Sequence, residues 1–371
     1  MIWFTLKVYV VVFVEVRMKI LVIGAGVLGS LYAARLQNSG QDVTVLARGK
    51  RLTQLRENGI VLTNESGHEK SITPMRVIEA IDPEEFFDFA LVLVRKNQMK
   101  EVLPLLRDNV GVQSFVFMSN NAVGPVEYIQ TVGNERVLLG FPGAGGSRDE
   151  NGEVTYSIVP GEIQSTTIGE LNGQRTERVE QLSRLLNQAG FPTVISENMD
   201  AWLKTHVALV SPVANAIYLA AGDPYRLANT RDGLVLMVRA IREGLHVLDH
   251  LGVPITPKKY KLIRWVPEGI LVPILQKGFA TPQAELVLAR HARSARDEMQ
   301  QLGLEFQQLT LDAGVPTPNI DNLMLFATST ERVLPSGSQK LRYCYQDWVP
   351  VVMGVTLAGL LMGIIFRRKR K

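Results

Sequence analysis

Short unbroken apolar runs alternate with amphipathic stretches through the first half of the chain. Met18-Lys-Ile-Leu-Val-Ile reads as a strand, and a helical pattern follows Gly24-Ala25-Gly26-Val27-Leu28-Gly29. Asp42-Val-Thr-Val-Leu-Ala is a second strand, ending on Arg48. Phe89-Ala-Leu-Val-Leu-Val and Ser114-Phe-Val-Phe-Met are continuous apolar runs, the pattern of parallel strands covered by helices on both faces. The region near Glu153–Gly169, rich in Val, Ile, Thr and Ser with glycines between, predicts antiparallel strands. A helix over about Thr176 to Ala189 then leads to the strand Thr193-Val-Ile. From Asn198 to about Ala327 strands give way to long stretches of helical period. The fold class predicted is α/β, with a Rossmann-type dinucleotide-binding domain over 18–197 and an all-helical domain over 198–330. Ligands of open α/β sheets lie beyond the carboxyl ends of the strands, which puts the expected site in the cleft between the two.

The ends of the chain stand apart. Val349 to Phe366 is a run of 18 residues without a charge, closed by the basic pentapeptide Arg367–Lys371. As a helix it would rise ~27 Å, near the lower limit for crossing a hydrocarbon core. Gly359 and Gly363 form a G-x-x-x-G within it, which lets two such helices approach closely. A buried core helix is the other reading, but the run is terminal and follows Pro335-Ser-Gly-Ser. We therefore expect a C-terminal transmembrane helix over 349–366, a linker over 331–348 and a basic tail over 367–371. The expected location is at a membrane, with the catalytic domain in the cytoplasm. That arrangement sends the basic tail across the bilayer, against the positive-inside tendency. Tail insertion, a shallow hairpin and an interfacial helix thus stay open. Residues 1–17 form an extension whose apolar core is too short to span and is broken by Glu15; no function is assigned to it.

Composition narrows the classes. A chain of 371 residues is long enough for two domains with their own cores. The formal net charge is +4 and Arg367–Lys371 carries five positive charges, so the rest of the chain stands at −1. The body therefore has no nucleic-acid signature. The single cysteine, Cys344, excludes a disulfide scaffold and cysteine-cluster metal sites, and fits a reducing compartment. His246 and His250 are spaced i, i+4 but lack a third ligand at a convincing interval, so they read as faces of an ordinary helix and no metal is expected.

The chemistry begins at the glycine motif. Strand, G-x-G-x-x-G at Gly24, Gly26 and Gly29, and helix follow one another at the spacing of a dinucleotide site. The first glycine makes the tight turn, the second admits the pyrophosphate and the third lets helix pack on strand. The residues of the loop, Gly24, Ala25, Gly26, Val27, Leu28 and Gly29, are the expected pyrophosphate cradle. NAD-binding units usually end the second strand on a carboxylate that accepts from the ribose 2′-hydroxyl. Here that position is Arg48, with Lys50 and Arg51 beyond, so a 2′-phosphate and hence NADP is favoured. A solvated basic loop is the alternative.

Four further segments carry information: Val94-Arg95-Lys-Asn-Gln98, Asn120-Asn121-Ala-Val-Gly124, Glu197-Asn-Met-Asp-Ala-Trp-Leu-Lys204, and Glu298 lying 16 residues before Gly314-Val-Pro-Thr-Pro. With these, the chain over roughly Met18 to Ala327 resembles the ketopantoate reductase family, which reduces 2-dehydropantoate with NADPH on the pantothenate pathway. The resemblance puts Arg95 in the place of a cofactor-site lysine and Asn121 at the cofactor and substrate. It makes Lys204 the catalytic lysine and Glu298 the active-site glutamate. The residues suit the reaction, because reducing a 2-oxo acid needs hydride at a carbonyl carbon and a proton for the alkoxide. A lysine ammonium polarises that carbonyl and donates the proton. Glu298 would hydrogen-bond the substrate hydroxyl and orient Lys204, and the Asn121 amide would donate to a nicotinamide or substrate oxygen. The plainer readings are a snorkelling Lys204, a charged helix face at Glu298 and a loop cap at Asn121.

The chain departs from the family where substrate is held. Ala208 and Pro212 stand where asparagines are usual, with Asn215 as a partial substitute, and Leu286 stands where a carboxylate-binding serine is usual. A site short of such partners discriminates less for the substrate that needed them. Three readings follow: an NADPH-dependent 2-oxo acid reductase, a reductase of a less polar ketone, and a non-catalytic NADP(H)-binding sensor. The expected partners are a small-molecule substrate, the membrane through the C-terminal helix, and a second copy in a possible homodimer.

Overall fold

The computed structural model describes residues 17–65, 69–329 and 331–344. The expected membrane helix over 349–366, its basic tail and residues 1–16 lie outside the described residues. Among the described residues no helix is long and apolar enough to cross a membrane.

In chain order the strands are β1 (Lys19–Ile23), β2 (Asp42–Leu46), β3 (Ile60–Asn64), β4 (Lys70–Thr73), β5 (Arg76–Ile78) and β6 (Phe87–Val92). They continue with β7 (Val112–Met118), β8 (Val137–Phe141), β9 (Ala144–Arg148), β10 (Val154–Ile158), β11 (Thr166–Glu170) and β12 (Thr193–Ile195). The main sheet has the order β12-β11-β8-β7-β6-β1-β2-β5. The run from β5 to β8 is parallel, and β11 turns the direction by pairing antiparallel with β8. The apolar runs in β1, β6 and β7 are buried on both faces, as two cores divide them: Ile20, Val22 and Leu91 face one side, Leu21, Ala90 and Phe115 the other. The Glu153–Gly169 region splits between sheets. β10 joins a smaller sheet, β4-β3-β10-β9, in which it is antiparallel to β9 and parallel to β3.

The helices of the first domain are α1 (Val27–Asn38), α2 (Gly49–Asn58), α3 (Met99–Leu106), α4 (Val126–Val132), the single turn α5 (Gly161–Gln164) and α6 (Glu177–Gln188). The second domain is helical: α7 (Met199–Leu219), α8 (Pro224–Asn229), α9 (Arg231–His250), α10 (Glu268–Phe279), α11 (Pro282–Ala284), α12 (Arg290–Ser294), α13 (Arg296–Ala313) and α14 (Pro318–Thr328). A π-helical turn, Glu285–Ala289, runs into α12. α7 starts where Asn198 accepts a hydrogen bond from the Ala201 amide at 2.9 Å, satisfying one of the free N–H groups of a helix start. Ala208 and Gly244 let α7 and α9 approach closely, since a Cβ on Gly244 would lie 3.2 Å from that of Ala208.

Residues 331–344, expected as linker, are bound along the helical domain instead. The Asp232 carboxylate accepts from Lys340 N at 2.8 Å and Leu341 N at 2.9 Å, and Arg231 and Arg239 donate to carbonyls of Leu341 and Arg342. Their polar backbone is paired with charged side chains of α9, and Leu334, Leu341 and Tyr343 pack against the helical core, which together hold the stretch in place.

Candidate active site

The parallel strands β1, β6 and β7 are neighbours, so the segments leaving their carboxyl ends converge on one edge. After β1 comes the glycine loop, whose three glycines act differently. Gly24 has φ +105°, and a Cβ there would lie 2.5 Å from the Leu93 carbonyl oxygen. A Cβ on Gly29 would sit 1.7 Å from the Gly24 oxygen, so only glycine lets α1 pack this closely on β1. Gly26 faces open space, with nothing within 4 Å of a Cβ built on it. Turn, close packing and open approach are the features a pyrophosphate cradle needs.

After β6 the chain turns through Lys96, whose side chain is buried. Its Nζ lies 3.6 Å from Glu305 Oε1, 3.5 Å from Asn121 Oδ1 and 5.5 Å from the centre of the Tyr128 ring. After β7 the Asn120–Gly124 loop closes on itself: the Gly124 amide donates to Asn121 Oδ1 at 3.1 Å, and Asn121 Nδ2 donates to the Gly124 carbonyl at 2.8 Å. From the helical domain α13 turns two carboxylates, Glu298 and Glu305, toward these loops. Asn120 Nδ2 donates to Glu298 Oε1 at 3.1 Å, and the Lys96 amide reaches the same oxygen at 3.5 Å.

Lys204 projects from α7 toward the same loop. A Cβ on Gly124 would lie 3.6 Å from Lys204 Nζ and 3.4 Å from Asp200 Oδ1. The ammonium pairs with Asp200, one helical turn before it. One of its three donors is thereby engaged. On this edge three buried polar atoms have no hydrogen-bond partner among the described residues: Asn97 Oδ1, Asn120 Oδ1 and Asp200 Oδ1. Buried polar groups are nearly always paired, so this edge is built to receive a polar ligand. A cavity of about 830 Å³ bordered by Asn134, Glu170 and Arg178 lies at the opposite end of the sheet and takes no part.

His206, one turn after Trp202, forms an aromatic wall. Its ring stacks on Trp202 at 5.2 Å between centroids and leans on Phe141 at 4.2 Å. Burial, and secondarily the neighbouring His291, push its pKa down to about 4. The imidazole is therefore neutral in the folded chain while it titrates near 6.5 when unfolded. In that window the unfolded state binds the extra proton, so this contribution is complete above pH 6.5 and is lost as pH falls to about 4. With partial exposure of the ring allowed for, the loss is about 2 kcal/mol. The expected outcome is a stability slope between pH 6.5 and 4 that flattens in His206→Phe, measured by denaturant unfolding; an unchanged slope would remove His206 as its source.

Comparison with known proteins fits this geometry. The family model for ketopantoate reductase PanE/ApbA matches residues 20–173. That stretch holds the glycine loop, the turn after β6 and the Asn120–Gly124 loop. Over that stretch the chain is similar to the ketopantoate reductase family. Members of the family are oxidoreductases that act on a CH–OH group with NADP(H). The chain is 29% identical over 190 residues to the uncharacterized oxidoreductase YkpB of Bacillus subtilis, covering 50% of this chain and 61% of that relative, less than two thirds of its length. It is 26% identical over 247 residues to the 2-dehydropantoate 2-reductase of Pyrococcus horikoshii, covering 64% and 75%. Among solved structures, the 2-dehydropantoate 2-reductase of Geobacter metallireducens shares the fold with a TM-score of 0.67 at 20% identity, over 83% of this chain and 98% of that one.

Against the expectations drawn from the resemblance, the site residues divide. Asn121, Lys204 and Glu298 gather at one edge, although the partner of Lys204 is Asp200 and the partners of Glu298 are Asn120 and the Lys96 amide. Arg95 lies at the surface beside Asp297 at 3.4 Å, while its neighbour Lys96 turns inward. Arg48 is exposed and pairs with Glu101 at 2.9 Å. Asn215 is buried with its amide on Met324 Sδ at 3.4 Å, and it stands 11 residues beyond Lys204 on α7, ~16 Å along the axis. Ala208 is buried against Gly244, and Leu286 sits half-buried on the π-helical turn. Sequence reasoning passed over Lys96, Asp200 and Glu305. The i, i+4 spacing of Asp200 and Lys204 and the i, i+7 spacing of Glu298 and Glu305 were the available signals. Nothing local separates Arg95 from Lys96.

Proposed function

We propose that this chain reduces a 2-oxo acid to the 2-hydroxy acid, with 2-dehydropantoate the substrate that its similarity to ketopantoate reductases favours. The observation that carries the reading is Lys204: its ammonium faces the Asn120–Gly124 loop on the edge that holds the glycine loop. The open face at Gly26 fits the pyrophosphate of NADP(H), with the α1 amides as donors. When bound, NADPH supplies the hydride. Lys204 donates to the substrate carbonyl oxygen, polarises it and gives up its proton as the alkoxide forms. Asp200 holds the ammonium in place through the turn of α7. Glu298, fixed by Asn120, is placed to accept from the substrate hydroxyl. The reading of a less polar ketone loses support because Ala208 is packed between helices rather than left open to a ligand.

The test is NADPH oxidation by the full chain with 2-dehydropantoate beside a panel of 2-oxo acids and neutral ketones. Turnover of 2-dehydropantoate or another 2-oxo acid is the expected result. Turnover of neutral ketones alone, or NADPH binding without turnover, would overturn it. Membrane attachment through 349–366 is a proposal from the sequence, tested by whether the full chain stays with membranes after an alkaline wash.

A further inference from the structure

The expected reader of the 2′-phosphate, Arg48, is 78% exposed at its side chain and engaged with Glu101. Two other arginines sit on the glycine loop itself. Arg51, in the first turn of α2, donates through Nε to the Ala25 carbonyl at 3.1 Å. Arg148, at the end of β9, donates through Nη1 to the same oxygen at 3.1 Å. Arg51 is further held by Ser30 Oγ at 2.8 Å and the Gly152 carbonyl at 2.9 Å. Neither guanidinium has a salt bridge among the described residues, so two like charges share one neutral acceptor.

We infer that Arg51 and Arg148 form an anion site on the flank of the glycine loop that takes a phosphate group of the bound dinucleotide. The inference rests on the proposed NADP(H)-dependent reading. Guanidiniums bind phosphate oxygens in charge-assisted pairs, and an anion between them relieves their mutual repulsion. That repulsion, after burial, is what pulls the Arg51 pKa down to about 10. The backbone is shaped to present the pair. A Cβ on Gly146 would lie 3.1 Å from Val27 Cγ1, so β9 is pinned against the start of α1 and carries Arg148 to the loop. Gly152 takes a left-handed φ of +91°, and a Cβ there would lie 2.5 Å from Arg51 Nη1, so the turn brings its carbonyl close around the guanidinium. Next to Ala25, Gly26 leaves the approach open. Two phosphates of the dinucleotide meet the same chemistry, the ribose 2′-phosphate and the pyrophosphate.

The experiment measures NADPH and NADH affinity of the full chain by fluorescence titration, for the unchanged protein, Arg148→Gln, Arg51→Lys and Arg48→Gln. Arg148 is exposed, so its replacement leaves the fold intact, which thermal unfolding checks. Arg148→Gln is expected to weaken NADPH about 10- to 100-fold. Loss for NADPH alone assigns the 2′-phosphate, and equal loss for NADH assigns the pyrophosphate. Unchanged affinity for both in Arg148→Gln, or a loss confined to Arg48→Gln, overturns the site. A second readout is independent of the enzymatic reading: inorganic pyrophosphate should raise the unfolding temperature of the unchanged chain and not of Arg148→Gln. If the unchanged chain fails to bind NADPH yet shows that pyrophosphate effect, the anion site stands and the cofactor reading falls. If pyrophosphate has no differential effect and NADPH is not bound, both fall.

Discussion

Lys204→Met is expected to lower turnover by about 10²- to 10⁴-fold, the range for losing a positioned general acid, while NADPH affinity stays as it was. Methionine keeps the length and apolar stem of lysine and removes the ammonium, so α7 has no reason to move. Lys204 and Trp202 lie two residues apart and point away from each other on the helix. Trp202 and His206 build the aromatic wall with Phe141, leaving Lys204 to the Asn120–Gly124 loop. The loss should fall on kcat as well as kcat/KM, because the donated proton matters most as the alkoxide forms. Steady-state kinetics beside an NADPH titration separates the outcomes. Full turnover in the variant would remove Lys204 from the mechanism. Loss of NADPH binding together with turnover would make it a cofactor-site residue instead.

The second large effect concerns Lys96. Its side chain is 5% exposed and that of Glu305 is 8% exposed, and the pair joins the turn after β6 to α13 across the two domains. Glu305 also accepts from the Ala122 amide at 3.4 Å and from Gln301 at 3.2 Å, so it is fixed in place whether or not the lysine is present. Lys96→Met therefore leaves a carboxylate buried without its cation, and the expected cost is about 3–5 kcal/mol. Replacing both partners, Lys96→Met with Glu305→Leu, should recover much of that loss, since the desolvated charge is gone too. Denaturant unfolding of the two singles and the double gives the coupling. A double variant no more stable than Lys96→Met would mean that the lysine acts through Asn121 and Tyr128 rather than through Glu305.

The strand, glycine turn and helix of the dinucleotide motif were legible because each is a local matter. Gly24 and Gly29 answer to contacts with their own turn and the end of the neighbouring strand, Gly26 stands open between them, and the burial of β1, β6 and β7 follows from their unbroken apolar runs. The start of α7 was legible too, since Asn198 caps it from three residues away. The helical period from Asn198 onward carried no information about which face of each helix would meet the first domain.

What the amino-acid sequence determined by itself was therefore the fold class, the glycine loop and the set of candidate side chains. The tertiary structure alone decided which of them converge. It chose Lys96 over Arg95, since the turn after β6 points one inward and leaves the other with Asp297. It gave Lys204 to Asp200 and Glu298 to Asn120, and it put Arg148 from β9 beside Arg51 on one carbonyl oxygen. The reason is physical. Backbone conformation and burial period are set by near neighbours, whereas the partner of a charged side chain depends on how elements as much as 209 residues apart, Lys96 and Glu305 among them, pack against each other.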